Sequence, residues 1–349
     1  MAVVEHHPAL NRPERPLCSV CVANYNGTSL LADCLDSVFG QRVDFDFEVI
    51  VHDDASSDGS VAFLRQRYPR VEVLASAENV GFCISNNRMA AHARGQFLLL
   101  LNNDAALFPD ALATLAQRAD AQTPQGILTL PQYDWQTGAL VDRGCLLDPF
   151  FNPVPNTDPA RTDVAMVIGA CLWVPKQLWD ELGGFPEWIE SIGEDMYVCC
   201  QARLRGFPVQ TTPDSGYRHW QGKSFGGNKP QDGQLQSTFR RRRLSERNKT
   251  AVLFVTLPGP LMWLVLACHL AAMTAEGMLL ALLSADARIW KQIYWPAITL
   301  PMREFAILRA RRSRAQAVRR ATLSAYLQPM TRLPRKISLL LRHGLPKIR

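Results

Sequence analysis

The sequence predicts an α/β protein with a mainly parallel, doubly wound central sheet, followed by a helical C-terminal region. Short apolar, β-rich segments alternate with segments of helical spacing between residues 17 and 104, a pattern typical of parallel sheets with helical crossovers. The strand-like segments are unbroken apolar runs, as expected for strands covered on both faces. With 349 residues, 47% of them hydrophobic and 20% charged, the chain is long and apolar enough for about two packed domains.

Turn and cap residues bound the predicted elements. Thr28 or Ser29 is the expected N-cap of the first helix, Pro69 stops the second and Gly95 closes the third. We therefore predict strands over residues 17–23, 47–52, 71–75 and 97–101, and helices over residues 30–39, 60–68 and 85–94.

The nine cysteines are scattered and odd in number. Cys18 and Cys21 form a C-x-x-C, but they fall on a predicted strand, where residues three apart point to opposite faces. A shared zinc ion is therefore not expected. Because residues 1–16 do not read as a signal peptide, we expect buried, reduced thiols in a cytosolic protein.

Polar residues follow three of the predicted strands at the points where the strands end. Residues 24–27 follow the first strand, Asp53 and Asp54 the second, and residues 102–104 (Asn-Asn-Asp) come directly after four leucines. Ligands of open α/β sheets bind beyond the carboxyl ends of the strands, so we expect these side chains to converge on one edge. Ordinary turn formation by Asn and Asp is the alternative.

The acids at this edge favour a divalent cation. The chain has no glycine-rich phosphate loop of the G-x-G-x-x-G or G-x-x-x-x-G-K-[ST] type. A carboxylate oxygen is a preferred ligand of a hard cation, which would neutralise substrate phosphates. Asp104 is the predicted ligand, and Asn102 or Asn103 would add weaker contacts, directly or through water.

Four segments resemble, in family order, the sequence blocks of family 2 glycosyltransferases: VIVHDDASSDGS (49–60), residues 78–105, residues 168–207 and RHWQGKSFGG (218–227). Within the family the chain is most similar to bacterial enzymes that add rhamnose or similar sugars to cell-surface polysaccharides. The resemblance implies a GT-A fold over residues 17–235, after an N-terminal extension (1–16) and before a basic, apolar helical region (236–349). Residues 17–104 would then form the nucleotide-sugar half and residues 105–235 the acceptor half.

The resemblance also implies roles for single residues. Asp53 matches the acid that holds the nucleotide base, Asp104 matches the metal-binding acid, and His219 matches a histidine that completes the metal or diphosphate site. Asn102 stands where the family often has a further Asp. The implied cofactor is Mg²⁺ or Mn²⁺. The nucleotide-sugar-binding residues would be Asn24, Asn26, Asp53, Asp54, Asn79, Gly81, Asn87 and Asn103.

Glu194 and Asp195 begin a predicted helix that Gly206 ends. Acids at a helix start also interact favourably with the helix dipole, which is the structural alternative. A sugar hydroxyl that attacks an anomeric carbon must lose a proton, so a carboxylate base is required nearby. Asp195 matches the base position of the family, and Glu194 is the second candidate for this catalytic role.

The segment after His219 and one tryptophan complete the predicted site. Gly222, Ser224 and the Gly226–Gly227 pair suggest a loop that closes over the diphosphate. Four tryptophans are more typical of the core than of a sugar platform: Trp173, Trp179, Trp188 and Trp220. Of these, Trp188 is the candidate for stacking on the acceptor.

The C-terminal region is strongly basic. Residues 1–239 hold 17 Lys and Arg against 28 Asp and Glu, whereas residues 240–349 hold 21 against 4, so the balances are −11 and +17. Residues 261–283 form a long apolar stretch, with Glu276 and His269 as its titratable residues. Basic flanks on both sides argue against a simple span, so we expect this stretch to lie in an anionic cytoplasmic membrane surface. Residues 302–326 suit an amphipathic helix on the same lipid, and a soluble helical domain packed on the acidic body is the alternative.

Together, these features favour an inverting, metal-assisted glycosyltransferase at the cytoplasmic face of the plasma membrane. Its donor would be a UDP- or dTDP-linked sugar, dTDP-rhamnose among them, and its acceptor a hydroxyl of a lipid-linked or cell-surface glycan. Two other classes stay open: a nucleic-acid-binding protein with a basic tail, and a non-catalytic scaffold of the same fold. The apolar stretch has no use on nucleic acid, so no nucleic-acid partner is expected.

Overall fold

The computed structural model describes residues 3–220, 230–231, 234–344 and 347–348. The strands are β1 Val4–His7, β2 Cys18–Asn24, β3 Phe47–Asp53, β4 Val71–Ser76, β5 Phe97–Asn102, β6 Ala105–Leu107, β7 Ile127–Thr129, β8 Gln132–Asp134, β9 Leu140–Asp142, β10 Cys145–Leu147, β11 Pro153–Pro155, β12 Cys171–Pro175, β13 Val209–Thr211, β14 Tyr217–His219, β15 Pro230–Gln231, β16 Gln234–Ser237 and β17 Lys347–Ile348. The α-helices are α1 Thr28–Phe39, α2 Ser60–Arg67, α3 Phe82–His92, α4 Ala111–Asp120, α5 Lys176–Leu182, α6 Glu194–Leu204, α7 Phe239–Thr256, α8 Leu261–Leu283, α9 Trp295–Arg303, α10 Phe305–Ala317, α11 Leu323–Leu327 and α12 Arg335–His343. A 3₁₀ turn spans Glu187–Ile189 and a π-helix spans Ile289–Tyr294.

The central sheet has eight strands in the order β1-β4-β3-β2-β5-β12-β7-β13. Strands β4, β3, β2 and β5 are mutually parallel, which confirms the predicted parallel core. Strand β12 runs antiparallel to both of its neighbours, and β1, from the predicted N-terminal extension, adds an antiparallel edge. The register places Asn24 opposite Asp53 and Ala23 opposite Asn102. The polar ends of three strands therefore meet at one edge.

Both faces of the sheet are buried, as the apolar runs predict. The four leucines at residues 98–101 are at most 2% exposed. Helices α1, α2 and α4 cover one face, and α3, α5 and α6 cover the other. Cys18 and Cys21 lie in the two opposite core clusters, so they do not share a metal. Eight cysteines are buried, but Cys268 is exposed and corrects the expectation that all of them are buried.

A second sheet, in the order β6-β14-β8-β9, extends the carboxyl edge of the first. In β14, His219 pairs with Ala105 of β6, the residue directly after Asp104. Residues more than a hundred positions apart are brought together in this way, at the end of the leucine strand.

The C-terminal helices share a core with the α/β body. Val252, Leu253 and Phe254 of α7 are fully buried in the same cluster as Leu98. The apolar stretch forms one helix, α8. Among the described residues it is the helix whose length and composition would allow a membrane span.

Several predicted helix boundaries are wrong, including the start of α3. The predicted helix over 302–326 is broken between α10 and α11, because the backbone N–H groups of Arg320 and Ala321 turn to bond the Leu204 carbonyl at the end of α6. Helix α1 has Gly27, not Thr28 or Ser29, as its N-cap.

Candidate functional site

The first part of the site is a hydrogen-bonded network at the ends of β2, β3 and β5. The Asn24 Nδ2 donates to Asp53 Oδ2 at 2.9 Å, and Asn103 Nδ2 donates to Asn24 Oδ1 at 2.8 Å. A Cβ on Gly27 would lie 2.2 Å from Asn103 Nδ2 and 2.5 Å from Asn24 Oδ1. Glycine at the start of α1 is therefore what allows these amides to pack together, and this explains the unexpected N-cap.

Asp53 and Asp54 have different partners. Asp53 Oδ1 accepts from the Ser56 backbone N–H at 2.9 Å. Both oxygens of Asp54 accept backbone N–H groups, from Val80 at 2.7 Å and Gly81 at 2.8 Å. Asp54 thus fixes the residue before α3, where Gly81 has a φ of +87° that favours glycine. This brace is also why α3 begins at Phe82, three residues before its predicted start.

Asp104 and His219, the predicted metal ligands, lie together. His219 Nε2 is 3.1 Å from Asp104 Oδ1, and both residues are buried. On the other side of the ring, Nδ1 is 3.2 Å from Gln132 Oε1, which also accepts the Tyr217 hydroxyl at 2.8 Å. With its proton on Nδ1, His219 would donate to this oxygen and leave Nε2 able to bind a cation beside Asp104. Such an outer partner commonly fixes the tautomer of a metal-binding histidine.

The Asp104–His219 pair fits a divalent cation. Asp104 Oδ1 and His219 Nε2 are 3.1 Å apart, a separation that either a shared proton or a shared cation would satisfy. Neighbouring ligands of an octahedral Mg²⁺, each at about 2.1 Å, are about 3 Å apart. The pair supplies one carboxylate oxygen and one imidazole nitrogen, both ordinary ligands of Mn²⁺-type ions.

A short bridge of backbone joins this edge to Asp195. The Asn102 N–H donates to the Ala170 carbonyl at 3.1 Å. The preceding residue, Gly169, donates its N–H to Asp195 Oδ2, also at 3.1 Å. A Cβ on Gly169 would contact Phe82, at the start of α3, and Asp195 itself at 3.8 Å. The predicted base, the end of β5 and the start of α3 therefore meet around one glycine.

Glu194 and Asp195 are adjacent carboxylates with raised pKa values. Burial is the main cause for both, and the charge of Asp195 further raises the pKa of Glu194. Glu194 Oε2 is buried, and no residue that the structure describes forms a hydrogen bond with it. Arg241, in the first turn of α7, interacts electrostatically with both carboxylates. A raised carboxyl pKa suits a group that must take up a proton near neutral pH.

The backbone before these carboxylates is strained. Glu190 has φ +67° and ψ −68°, the centre of a γ-turn in which the Ser191 N–H donates to the Ile189 carbonyl at 2.8 Å. Ile192, a β-branched residue, also has a φ of +67°. Each such residue costs about 1–3 kcal/mol and persists only where its surroundings hold it. Strain of this kind is concentrated at functional sites.

Several predicted residues have other surroundings. Asn79 is exposed, and Asn26 Oδ1 accepts the Ser57 N–H at 2.8 Å beside the strand-end network. Asn87 makes two hydrogen bonds of 2.9 Å to the backbone of Phe185, so its amide links α3 to a neighbouring loop and is not at the strand ends. Nucleotide contacts of these residues stay predictions.

Trp188 is half-buried, and one face of its ring is covered. The Arg311 guanidinium lies 4.1 Å from the ring centroid, and Tyr197 packs edge-on. Stacking on an acceptor would use the other face, and this role stays a prediction. Trp173 and Trp179 are in the core, as expected. Trp220 is half-buried and stacks on Trp135, and the predicted loop residues Gly222, Ser224, Gly226 and Gly227 lie outside the described residues.

Sequence reasoning missed several residues of the site. Gln132 and Arg241 have no local signal of their role, because each acts through a contact between distant segments. Gly169 lies in the family block at residues 168–207, but that block gave it no role. Gly27 is the exception. It follows Asn24 and Asn26 and directly precedes α1, and a glycine at such a place indicates close packing of the backbone.

Residues 19–171 match the family model described as "Glycosyl transferase family 2". The chain contains a family 2 glycosyltransferase domain. The matched range holds the strand-end network and Asp104, whereas Asp195 and His219 lie beyond it.

Curated relatives of this glycosyltransferase domain are distant. An uncharacterized protein of Mycobacterium tuberculosis, MT1568, is 34% identical over 107 residues, which cover 30% of this chain and 33% of that protein. The O-antigen biosynthesis protein RfbC of Myxococcus xanthus is 26% identical over 225 residues, which cover 60% of this chain and 18% of RfbC. The chain thus spans about a third or less of the length of these relatives.

Solved structures confirm the GT-A fold. GalNAc-T7 with UDP, GalNAc and Mn²⁺ superposes with a TM-score of 0.54 and 17% identity, covering 69% of this chain and 48% of that one. The mannosyltransferase PcManGT from Pyrobaculum calidifontis, in complex with GDP-Man and Mn²⁺, gives a TM-score of 0.50 and 20% identity, covering 89% and 88%.

Proposed function

We propose that this protein is an inverting glycosyltransferase that moves a sugar from a nucleoside-diphosphate sugar to a hydroxyl of a glycan. One observation supports this most strongly: the Gly169 N–H donates to Asp195, and the next residue, Ala170, accepts the Asn102 N–H at the end of β5. A base and a diphosphate site would then act on opposite sides of one sugar.

In the proposed reaction, the acceptor hydroxyl oxygen attacks the anomeric carbon. The bond from that carbon to the phosphate oxygen breaks, and the nucleoside diphosphate leaves with the bonding electrons. Asp195 takes the hydroxyl proton, with Glu194 beside it as the second candidate. Their raised pKa values keep proton uptake favourable near neutral pH.

Asp104 and His219 would hold the divalent cation, with Gln132 fixing the histidine tautomer. When bound, a cation at this place supplies positive charge that stabilises the departing diphosphate. The buried network of Asn24, Asp53 and Asn103 lies at the strand ends, where the nucleotide of such folds is expected. The GalNAc-T7 and PcManGT structures contain UDP and GDP-Man, and for this chain we propose a UDP- or dTDP-linked donor, with dTDP-rhamnose as one case.

The C-terminal region would bring this site to an anionic membrane surface that carries a lipid-linked acceptor. The acid and the histidine of α8 both face the protein: Glu276 pairs with Arg242 at 2.6 Å, and His269 Nε2 is 2.9 Å from the Thr250 hydroxyl. The buried residues of α8 recur every three or four positions, at Met262, Leu266, His269, Met273, Gly277 and Leu280. The helix therefore lies along the protein, which favours an in-plane arrangement over a span.

The rest of the α8 surface is apolar and exposed. Its large exposed side chains are Trp263, Leu264, Met278, Leu279, Leu282 and Leu283. An exposed apolar surface of this extent marks an interaction site, and the +17 balance of residues 240–349 matches anionic lipid. A nucleic-acid partner would leave the same apolar surface in water.

A panel of nucleotide sugars tests the donor half of the proposal. Thermal unfolding is measured with UDP-glucose, UDP-GlcNAc, GDP-mannose and dTDP-rhamnose, each with and without Mn²⁺. We expect one donor to raise the Tm only with the cation, and to yield labelled lipid in a bacterial lipid extract. Failure of every donor to bind would contradict the function, and binding without turnover would support the scaffold alternative.

A further inference from the structure

The strained segment before the carboxylate pair is held from outside the α/β body. Residues 189–193 contain the γ-turn at Glu190, the positive φ of Ile192 and Gly193 with a φ of +107°. Backbone of this kind needs external partners to keep one conformation. The described contacts of its carbonyl groups converge on a residue of α7.

That residue is Asn248, which is fully buried. Its Nδ2 donates towards three carbonyl oxygens: Ile189 at 3.0 Å, Ser191 at 2.9 Å and Ile192 at 2.9 Å. The Arg247 guanidinium donates to Asn248 Oδ1 at 3.1 Å, which fixes the orientation of the amide. A Cβ on Gly193 would be 3.5 Å from Asn248 Cβ, so the helix and the segment are in direct contact.

Arg247 adds a second contact to the same region. Its Nη1 donates to the Trp188 carbonyl at 3.3 Å, and it lies 3.9 Å from the Glu190 carboxylate. Arg247 and Asn248 of α7 therefore both bond the segment from Trp188 to Ile192, which ends two residues before Glu194. A buried amide that bonds three main-chain oxygens is hard to replace, because its removal leaves those oxygens without a partner.

We propose that Asn248 is a positioning residue that holds residues 189–193 and thereby sets the place of Glu194 and Asp195. The role rests on the proposed function, because it acts through the carboxylate pair. It also assigns the C-terminal region a part in catalysis besides membrane contact: without α7, the turn before the base would relax.

The groups around the pair define what such a relaxation would change. Arg241 of α7 is the facing cation, and Cys83 of α3 is the nearby thiol that both carboxylates influence. Loosening the segment would admit water to the two carboxylates. It would thereby reduce their burial, which is the main cause of their raised pKa values. The pKa of the pair would then fall towards the ordinary range.

Asn248→Asp tests the proposal with little change in volume, because a carboxylate cannot donate to the three carbonyl groups. Asn156→Asp is the matched control: Asn156 is also buried, and its Nδ2 donates to the carbonyls of Arg143 and Arg161 at 3.3 and 2.8 Å, in another loop. Amide hydrogen exchange is followed by mass spectrometry in both variants. Transfer rates are measured from pH 5 to 9 with the donor found in the panel.

We expect Asn248→Asp to speed exchange over residues 187–196 and to lower kcat about 10²-fold, the usual effect of a misplacement of about 1 Å. The donor KM should stay within about twofold, and the rising limb of the pH–rate profile should move to lower pH. Asn156→Asp should speed exchange near residues 143–161 and leave the limb in place. Unchanged exchange at 187–196, or a limb that does not move, would overturn the proposal. If the wild type transfers no sugar, the proposed function fails, and the exchange data alone decide whether Asn248 holds the segment.

Discussion

Asp195 accepts a hydrogen bond from the backbone N–H of Gly169, with 3.1 Å between Oδ2 and N. The contact joins the start of α6 to the segment just before β12. The next residue of that segment, Ala170, accepts the Asn102 N–H at the end of β5. Asp195 is thereby attached to the edge of the sheet where Asp104 follows β5. The proposed chemistry depends on this connection, and the following predictions test its parts.

The first prediction concerns the cation. Chelation with EDTA should abolish turnover, and added Mn²⁺ should restore it. His219→Ala removes a proposed cation ligand and should weaken Mn²⁺ binding about 10–100-fold or more. Gln132→Leu removes the outer partner of that ligand and should weaken Mn²⁺ binding about 10-fold. Isothermal titration with Mn²⁺ and a nucleoside diphosphate measures both. Turnover that continues in EDTA would contradict the metal role of Asp104 and His219.

The second prediction concerns Gly27. In Gly27→Ala the new Cβ would press on Asn103 and Asn24, so overpacking should cost about 1–3 kcal/mol of stability. Nucleotide affinity should fall with it, because the same amides form the strand-end network. Gly40→Ala is the control, since its Cβ would meet the Asp36 carbonyl at 3.0 Å and the Ser37 carbonyl at 3.9 Å, at the far end of α1. Equal nucleotide affinities in the two variants would separate Gly27 from the donor site.

The third prediction concerns stability and pH. Burial raises the pKa of Asp142 to about 7. A raised carboxyl pKa means that the folded state binds the proton more tightly, so this contribution is present below about pH 4 and is lost as the pH rises to about 7. In Asp142→Asn the free energy of unfolding should therefore fall by up to about 4 kcal/mol less than in the wild type as the pH rises from about 4 to about 7.

Asp158→Asn is the matched control for Asp142→Asn. Each aspartate accepts the N–H two residues ahead, from Gly144 and Ala160 respectively, but Asp158 is exposed. Urea unfolding between pH 4 and 8 measures the slope. Parallel slopes in the wild type and Asp142→Asn would show that this buried carboxyl does not set the pH dependence.

The fourth prediction concerns the apolar face of α8. Leu282→Glu combined with Leu283→Glu should reduce flotation of the protein with vesicles of phosphatidylglycerol and phosphatidylcholine at least about 10-fold, since each buried leucine contributes about 1.5–3 kcal/mol. Both side chains are at least 60% exposed, so the fold should be kept. Exposed Val3→Glu, on the opposite end of the chain, is the control. Flotation that the double variant retains would refute this face as the lipid contact.

The sheet and its carboxyl edge were predictable because the information is local. Apolar runs such as residues 98–101 mark buried strands, and the polar residues that follow them mark the edge where ligands bind. The same reasoning placed Asp104, and the resemblance of residues 218–227 to a family block placed His219 beside it. The observed separation of 3.1 Å agrees with both.

The rest depended on contacts that no local pattern contains. Asn87 resembles the other asparagines of its segment, yet both its amide nitrogen and its amide oxygen bond the backbone of Phe185. The break between α10 and α11 comes from two hydrogen bonds to Leu204, more than a hundred residues earlier. Asn248 lies in α7, a helix of charged residues followed by apolar ones. Nothing in that sequence predicts a contact with the segment before Glu194 and Asp195.

The most direct test of the account compares Asp195→Asn with Asp104→Asn in one assay of donor binding and sugar transfer. If Asp195 is the base and Asp104 a cation ligand, Asp195→Asn should bind donor and Mn²⁺ like the wild type but transfer about 10²–10⁴-fold more slowly. Asp104→Asn should lose Mn²⁺-dependent donor binding itself. Wild-type transfer rates in Asp195→Asn, with donor binding intact, would contradict the central claim.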